Sequence, residues 1–136
     1  MHNPPMIPAR SGIARYRLLL AVTAAAVAAI GCGGETDDRP AKWSFISATI
    51  MQPSCATVNC HSEVAQRAGV DLHDRAIGYR DLVDRRFVIP GDQTGASSLL
   101  DLLHGRGSLT MPPDAPIPEA DIALIDEWIK AGAPND

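Results

Sequence analysis

The chain has 136 residues, which is enough for one domain, and its 16 acidic side chains outnumber 12 basic ones. This acidic balance disfavours binding to nucleic acid and favours protein partners with basic surfaces. Aromatic residues make up only 4% of the chain, so a domain this small has limited core material, and a bound apolar group would add to it.

An export signal is predicted at the start of the chain. Three arginines precede an apolar run of 13 residues at positions 18–30, which is shorter than the roughly 20 that a membrane-spanning helix needs. The run ends in Ala29-Ile30-Gly31-Cys32, and small residues before a cysteine resemble a bacterial lipobox. We therefore predict a lipoprotein signal peptide over residues 1–31, with lipid attached to Cys32. The alternative is ordinary cleavage nearby, which would leave Cys32 unmodified or remove it.

Removal of residues 1–31 would make the remaining chain more acidic, and lipid on Cys32 would determine where it is located. It would take away 3 of the 12 basic residues and none of the 16 acids, so residues 32–136 carry a formal charge of −7 (9 minus 16). Residues 32–42 are polar, with glycine and proline, and predict a flexible tether ahead of one domain at residues 43–136. The expected location is the cell envelope, on the periplasmic side or at the outer membrane, held by the lipid anchor.

Short helices are predicted along the first two thirds of the domain, with few or no strands. Apolar residues recur at helical spacing from Trp43 to Ile50, and Pro53 is expected to end this first helix. A second helix is predicted over residues 74–84, with its apolar side chains inward: Ile77, Leu82 and Val83. A leucine-rich helix follows around residues 99–103 and ends near Gly105.

The end of the domain combines a stiff segment with a last helix. Residues 110–118 contain four prolines and cannot be helical. The last helix is predicted from about Pro118 to Ala131, because proline suits a first turn and Gly132 suits the position after the end. Its apolar residues share one face: Ile122, Ile125, Trp128 and Ile129. The predicted fold class is all-α.

A cysteine–histidine motif follows the first helix. Four residues separate Cys55 from Cys60, and His61 comes directly after Cys60. Two thiols beside an imidazole can attach haem covalently, as thioethers to its vinyl groups with the histidine as an iron ligand. The commonest spacing has two residues between the cysteines, so the longer linker must bulge outward. Two alternatives stay open: a Cys55–Cys60 disulfide, or a zinc site, which would lack an obvious fourth ligand.

A candidate for the second iron ligand lies 50 residues beyond His61. Met111 precedes Pro112, which favours an extended conformation for the methionine. A thioether held in such a stiff loop suits haem iron opposite an imidazole and raises the reduction potential. The alternative is a loop methionine that fills a gap in the core.

Other side chains are weaker candidates for the same site. His73 or His104 could replace Met111, although both are better interpreted as surface histidines. Three further residues could contact haem propionates, with plain packing or a solvated charge as the alternative: Tyr79, Arg106 and Trp128. We find no nucleophile–base set, phosphate-binding loop or basic patch in the sequence.

Residues 43–136 resemble the small monohaem cytochromes c, and most closely the planctomycete-type cytochrome C domains that occur on exported lipoproteins. The similarity runs in order through most of the domain, at residues 50–55, 60–61, 69–72, 88–92, 98–100, 111–113 and 125–134. It implies thioether links at Cys55 and Cys60, with His61 and Met111 as the two ligands of the iron. It also implies a class I cytochrome c-like bundle of short helices around a haem slot, with the first and last helices crossing beside it.

The function that this resemblance implies is one-electron transfer with one covalent haem c, and no enzyme activity in this domain. Redox proteins with basic docking surfaces are the expected partners. The leading alternative is a haem-free envelope lipoprotein with a Cys55–Cys60 disulfide, serving a binding or structural role. A third hypothesis is a haem sensor or peroxidase-like enzyme that loses the Met111 ligand on reduction.

Overall fold

The computed structural model describes residues 37–136, which form helices and loops with no strands in that range. The all-α prediction is therefore confirmed for this part of the chain. The predicted signal peptide, the lipidation site Cys32 and the first part of the tether lie outside the described residues. The elements in order are α1 (Trp43–Ile46), a π-helical turn (Ser47–Met51), α2 (Gln52–Cys55), a 3-10 turn (Arg67–Gly69), α3 (Arg75–Asp84), α4 (Ser98–Leu103) and α5 (Glu119–Lys130).

None of the helices at residues 37–136 has the length and apolar character needed to span a membrane.

The first helical stretch continues past the proline that was expected to end it. The segments α1, the π-helical turn and α2 follow one another without a break, so the stretch ends at Cys55. Pro53 falls in the first turn of α2, where a missing backbone N–H is tolerated. The π-helical turn changes the hydrogen-bond register just before that point, and the stop at Pro53 was wrong for this reason.

Helix α3 begins one residue later than its predicted range and ends where predicted. Asp74 caps it, because its carboxylate accepts the backbone N–H of Ile77 at 2.9 Å. Leu82 is buried, while Ile77 and Val83 are half-buried.

The later elements also follow the sequence pattern. Helix α4 is followed by Gly105 with φ +66°, and α5 is followed by Gly132 with φ +101°, both in the left-handed region that favours glycine. Residues 110–118 contain no helix, as their prolines predict. The buried face of α5 comprises Ile122, Leu124, Ile125, Trp128 and Ile129.

Three aromatic rings, which we call the aromatic cluster, join the first helix, α3 and the last helix. Trp43 and Trp128 stack with ring centroids 5.1 Å apart, and Tyr79 meets them edge-on at 6.1 and 6.3 Å. Both tryptophans are fully buried. Each indole N–H and the Tyr79 hydroxyl donates to a backbone carbonyl 2.9 to 3.0 Å away: Arg75, Pro134 and Ala133. The two ends of the domain are thereby held together.

The last residues of the predicted tether contact the domain. The Arg39 guanidinium pairs with the carboxylates of Asp37 and Asp121, and Asp121 belongs to the first turn of α5. Ala41 packs against the hydrophobic core. The described part of the tether therefore lies against the helical domain.

A tight turn centred on Asp92 comes before α4 in the chain and is hydrogen-bonded to α5. The Asp92 carboxylate accepts the backbone N–H and the hydroxyl of Thr94, both at 2.8 Å, and the N–H of Ser97 at 2.6 Å. These bonds, led by those from Thr94, hold the pKa of Asp92 well below its ordinary value. Ser97 precedes α4, and the N–H of Gly91 donates to the Ile129 carbonyl of α5 at 2.8 Å.

Candidate functional site

A cavity of about 260 Å³ lies between the end of the first helical stretch, the loop after it, α4 and the proline-rich segment. This is close to the lower end of the roughly 300–1,000 Å³ range of small-molecule sites. Much of its wall is apolar: Leu72, Leu82, Phe87, Leu99, Leu102 and Leu103. Its rim includes side chains that are exposed to solvent, among them Leu109, which is 60% exposed.

All four haem-binding residues predicted from the sequence line this one cavity: Cys55, Cys60, His61 and Met111. Cys55 is the last residue of α2, and Cys60 and His61 belong to the turn that follows it. Met111 comes from the proline-rich segment, where its backbone N–H donates to the Leu102 carbonyl at 2.9 Å. The fold thus gathers two thiols, an imidazole and a thioether from segments 50 residues apart.

The four residues between the cysteines form a loop that projects away from the cavity. The N–H of Cys60 donates to the Thr57 carbonyl at 2.9 Å, and the N–H of His61 donates to the Cys55 carbonyl at 3.1 Å. The second bond closes the loop at its base. Val58, in the middle of the loop, is 73% exposed. The longer linker is therefore accommodated by an outward bulge, while both cysteines reach the same cavity.

Cys55 and Cys60 carry free thiols in the described structure, and both are partly buried. Burial of Cys55, with a smaller contribution from the nearby Cys60, raises the pKa of the Cys55 thiol to about 11. The Cys55 side chain is therefore a neutral thiol at physiological pH rather than a thiolate.

The imidazole of His61 is oriented by a backbone carbonyl. Its Nδ1 lies 3.3 Å from the carbonyl oxygen of Val70, which can only accept a hydrogen bond. In the neutral ring Nδ1 therefore carries the proton, and the lone pair of Nε2 is available to a metal ion. A histidine that binds a metal through one nitrogen ordinarily donates from the other in this way.

The two alternative histidines lie away from the cavity wall. His104 caps α4, where its Nδ1 donates to the Leu100 carbonyl at 2.7 Å and its Nε2 lies 3.3 Å from a carboxylate oxygen of Glu119. His73 is exposed in the loop before α3. Neither is among the residues that line the cavity.

The three residues considered as propionate contacts have other partners. Tyr79 and Trp128 belong to the aromatic cluster, and their polar atoms donate to backbone carbonyls there. Arg106 pairs with Asp101 at 2.8 Å on the surface. The plain interpretation of each, as a packing residue or a surface charge, fits these contacts.

Two residues that line the cavity were not predicted from the sequence to belong to the site. Met51 ends the π-helical turn, lines the cavity and is 1% exposed. It lies four residues before Cys55, a spacing that places two helical side chains on one face, and this signal could have found it. Arg67 also lines the cavity, with its Nε donating to the Asn59 carbonyl at 2.6 Å, and no sequence pattern pointed to it.

Across residues 37–136, no three histidine, cysteine, aspartate or glutamate side chains are grouped so that they could hold a metal ion.

Comparisons of this chain with known protein families, with curated proteins and with solved structures find no match. The interpretation of the cavity therefore depends on its own residues and contacts.

Proposed function

We propose that residues 43–136 bind one haem c covalently and act as a one-electron carrier of the cytochrome c type. One observation carries the proposal: two thiols, an imidazole and a methionine thioether line the same apolar cavity. These are the side chains that covalent attachment and two-sided iron ligation require. They come from the cysteine–histidine loop and the proline-rich segment, so local sequence alone does not bring them together.

Each residue has a distinct role in the proposal. The thiols of Cys55 and Cys60 would each add S–H across one vinyl group, which forms a thioether and loses no atom. His61, through Nε2, and Met111, through its sulfur, would be the iron ligands. The bound haem supplies reversible one-electron chemistry between ferric and ferrous iron.

The surrounding residues would tune that chemistry. The leucines and Phe87 on the wall would surround the haem with apolar groups, and a soft methionine sulfur would favour the ferrous state and raise the potential. The Val70 carbonyl fixes the orientation and the protonated nitrogen of His61. If His61 and Met111 both bound the iron, no position would be left open for a substrate. This favours a carrier over an enzyme.

The proposal includes a location and a class of partner. Lipid on Cys32 would hold the domain at the cell envelope, on the periplasmic side or at the outer membrane. The formal charge of −7 on residues 32–136, to which haem propionates would add, suits redox partners with basic docking surfaces.

Expression of the full chain with a cytochrome maturation system tests the proposal. We expect a red protein whose Soret band stays with the polypeptide after extraction with acidified acetone. The double variant C55A/C60A should lose the colour on extraction. A colourless wild-type protein with a mass two protons lower and no reactive thiol at Cys55 or Cys60 would contradict haem attachment and support the disulfide alternative.

Variants of the two proposed iron ligands test the ligation. Met111→Ala should let carbon monoxide bind the ferrous protein readily, whereas the wild-type protein should resist it. His61→Ala should lose the six-coordinate spectrum. His104→Ala is the matched control because this histidine lies off the cavity wall, and its spectrum should equal that of the wild type. Rapid carbon monoxide binding by the wild-type protein would favour the sensor or peroxidase-like hypothesis.

A further inference from the structure

Residues 70–72 hold His61 at two points. The N–H of Leu72 donates to the backbone carbonyl of His61 at 2.8 Å. The carbonyl of Val70 accepts from the His61 ring Nδ1 at 3.3 Å. The position of this short segment therefore sets both the backbone and the ring of His61.

The same segment is held from the other side by a buried carboxylate. Asp81 lies on α3, is 8% exposed, and accepts the backbone N–H of Asp71 through Oδ2 at 3.1 Å. Its Oδ1 pairs with the Arg80 guanidinium at 3.0 Å. Asp71 is buried as well, and its Oδ1 accepts the backbone N–H of His73 at 2.8 Å. The Asp81 carboxylate therefore holds the middle of the segment, and the Asp71 carboxylate holds the residue that follows it.

Asp81 is charged in this environment. Burial by itself would raise the pKa of Asp81, but the hydrogen bond from Asp71 and the bonds and charge of Arg80 outweigh it, so the pKa is lowered. The positive charge of Arg85 acts in the same direction. A charged acceptor makes the stronger hydrogen bond to the Asp71 N–H.

The chain that leads into the segment needs to be held. Gln66 has φ +39° and Ala68 has φ +56°, in the left-handed region that residues with a Cβ adopt at a cost. Gly69 follows with φ +71°, and a Cβ there would lie 2.8 Å from the Arg85 guanidinium. Such backbone persists only where surrounding contacts impose it, and these residues lead directly into the segment that Asp81 holds.

We propose that Asp81 is the positioning residue for His61: by holding the Asp71 N–H, it fixes the Val70 carbonyl against Nδ1 and so directs the histidine as a metal ligand. The redox effect expected from this proposal rests on the proposed function, whereas the contacts themselves exist without a bound group. A weaker bond from Nδ1 makes the imidazole a poorer donor to ferric iron. Loss of Asp81 should therefore shift the equilibrium toward ferrous iron.

The test compares Asp81→Asn with Asp84→Asn in the full-length protein as purified. Both variants remove one carboxylate from α3, and Asp84 is exposed. Hydrogen exchange measured by NMR should accelerate about tenfold at the Leu72 amide and the His61 ring N–H in D81N, and should not change in D84N. In the haem-loaded protein, D81N should raise the ferrous-to-ferric ratio by about threefold to tenfold, where tenfold is about 59 mV.

The exchange measurement separates positioning from simple charge. Removal of any nearby negative charge raises the potential, but charge alone leaves the Leu72 and His61 exchange rates as they are. Equal exchange in D81N and D84N overturns the proposal. If the wild-type protein carries no haem, the proposed function fails, whereas the exchange comparison still decides the role of Asp81.

If D81N does not fold, Arg80→Gln provides a second test of the same proposal. The Arg80 side chain is 61% exposed, so this change leaves the core intact while it frees one oxygen of Asp81. We expect exchange at His61 and Leu72 to accelerate about twofold to threefold. Unchanged exchange, with a potential lowered by the lost positive charge, would contradict positioning.

Discussion

At the aromatic cluster, three rings pack together and each of their polar atoms donates to a backbone carbonyl. At the cavity, two thiols, an imidazole and a thioether line an apolar space of about 260 Å³. The first region completes its contacts with groups of this chain alone. The second brings together atoms that could bind a further group: the two thiols, Nε2 of His61 and the sulfur of Met111. The first region stabilises the fold, and the second is the one at which we propose that haem binds.

The two regions do not differ in backbone strain. Gln66 and Ala68 beside the cavity have positive φ, and so does Ala133 at +46°, whose carbonyl accepts from the Tyr79 hydroxyl of the aromatic cluster. The regions differ in how their side chains are bonded. We therefore expect substitutions in the first region to act on stability and substitutions in the second to act on binding.

The largest expected effect is loss of the aromatic stack. Trp128→Ala should lower the free energy of unfolding by ~3–5 kcal/mol, because it removes a fully buried ring and its stacking partner for Trp43. Urea denaturation followed by circular dichroism measures this. Val64→Ala is the control, since Val64 is 82% exposed and should change stability by less than about 0.5 kcal/mol. Equal effects would show that the aromatic stack contributes no more stability than an exposed surface side chain.

Two leucines of similar burial sharpen the comparison. Leu124 is 2% exposed on α5 and lies off the cavity wall, while Leu103 is 3% exposed on α4 and lines the cavity. In protein without haem, Leu124→Ala should cost about 4 kcal/mol and Leu103→Ala about 2 kcal/mol, because Leu103 already has fewer packing partners on one side. With haem bound, the cost at Leu103 should rise toward that at Leu124. A larger cost at Leu103 in haem-free protein would contradict the comparison.

Cysteine reactivity tests the cavity directly. With a pKa of about 11, roughly one Cys55 side chain in a thousand is a thiolate at pH 8. In protein made without haem, iodoacetamide should therefore modify Cys60 at least about tenfold faster than Cys55, as measured by mass spectrometry of the separated peptides. Modification of Cys55 should accelerate as the pH approaches 11. Equal rates at pH 8 would show that Cys55 is not buried as the structure has it.

The sequence was most informative where a local rule decides the structure. Gly105 and Gly132 follow the ends of helices, as predicted, because capping depends on a few neighbouring residues. Cys55, Cys60 and His61 are close in sequence, so their proximity in space is nearly assured. The prediction that Pro53 ends the first helix was wrong because a π-helical turn precedes this proline. An apolar spacing of 3.6 residues does not reveal that change in the hydrogen-bond register.

The rest of the site depends on contacts between distant segments. The position of Met111 on the same cavity as His61 was expected from a family resemblance and a proline pattern, and tertiary folding brings it there. No motif indicated that Arg67 lines the cavity, whereas the four-residue spacing of Met51 and Cys55 was a signal that could have indicated Met51. The buried Asp71–Asp81 contact joins a loop to α3, and two ordinary aspartates ten residues apart gave no sign of it.

The smallest expected effect concerns the Asp92 turn, which links α5 of the aromatic region to α4 of the cavity. Its hydrogen bonds hold the pKa of Asp92 below the value of about 3.9 expected in the unfolded chain, so Asp92 contributes stability above about pH 4. That contribution declines as the pH falls below about 4, because the unfolded chain takes up the proton more readily. Asp92→Asn should therefore lower stability at pH 7 and flatten its dependence on acid pH, as measured by urea denaturation between pH 7 and pH 3. Asp114→Asn, at an exposed position in the proline-rich segment, is the control. If the two variants have equal acid profiles, the turn does not couple the two regions through its carboxylate.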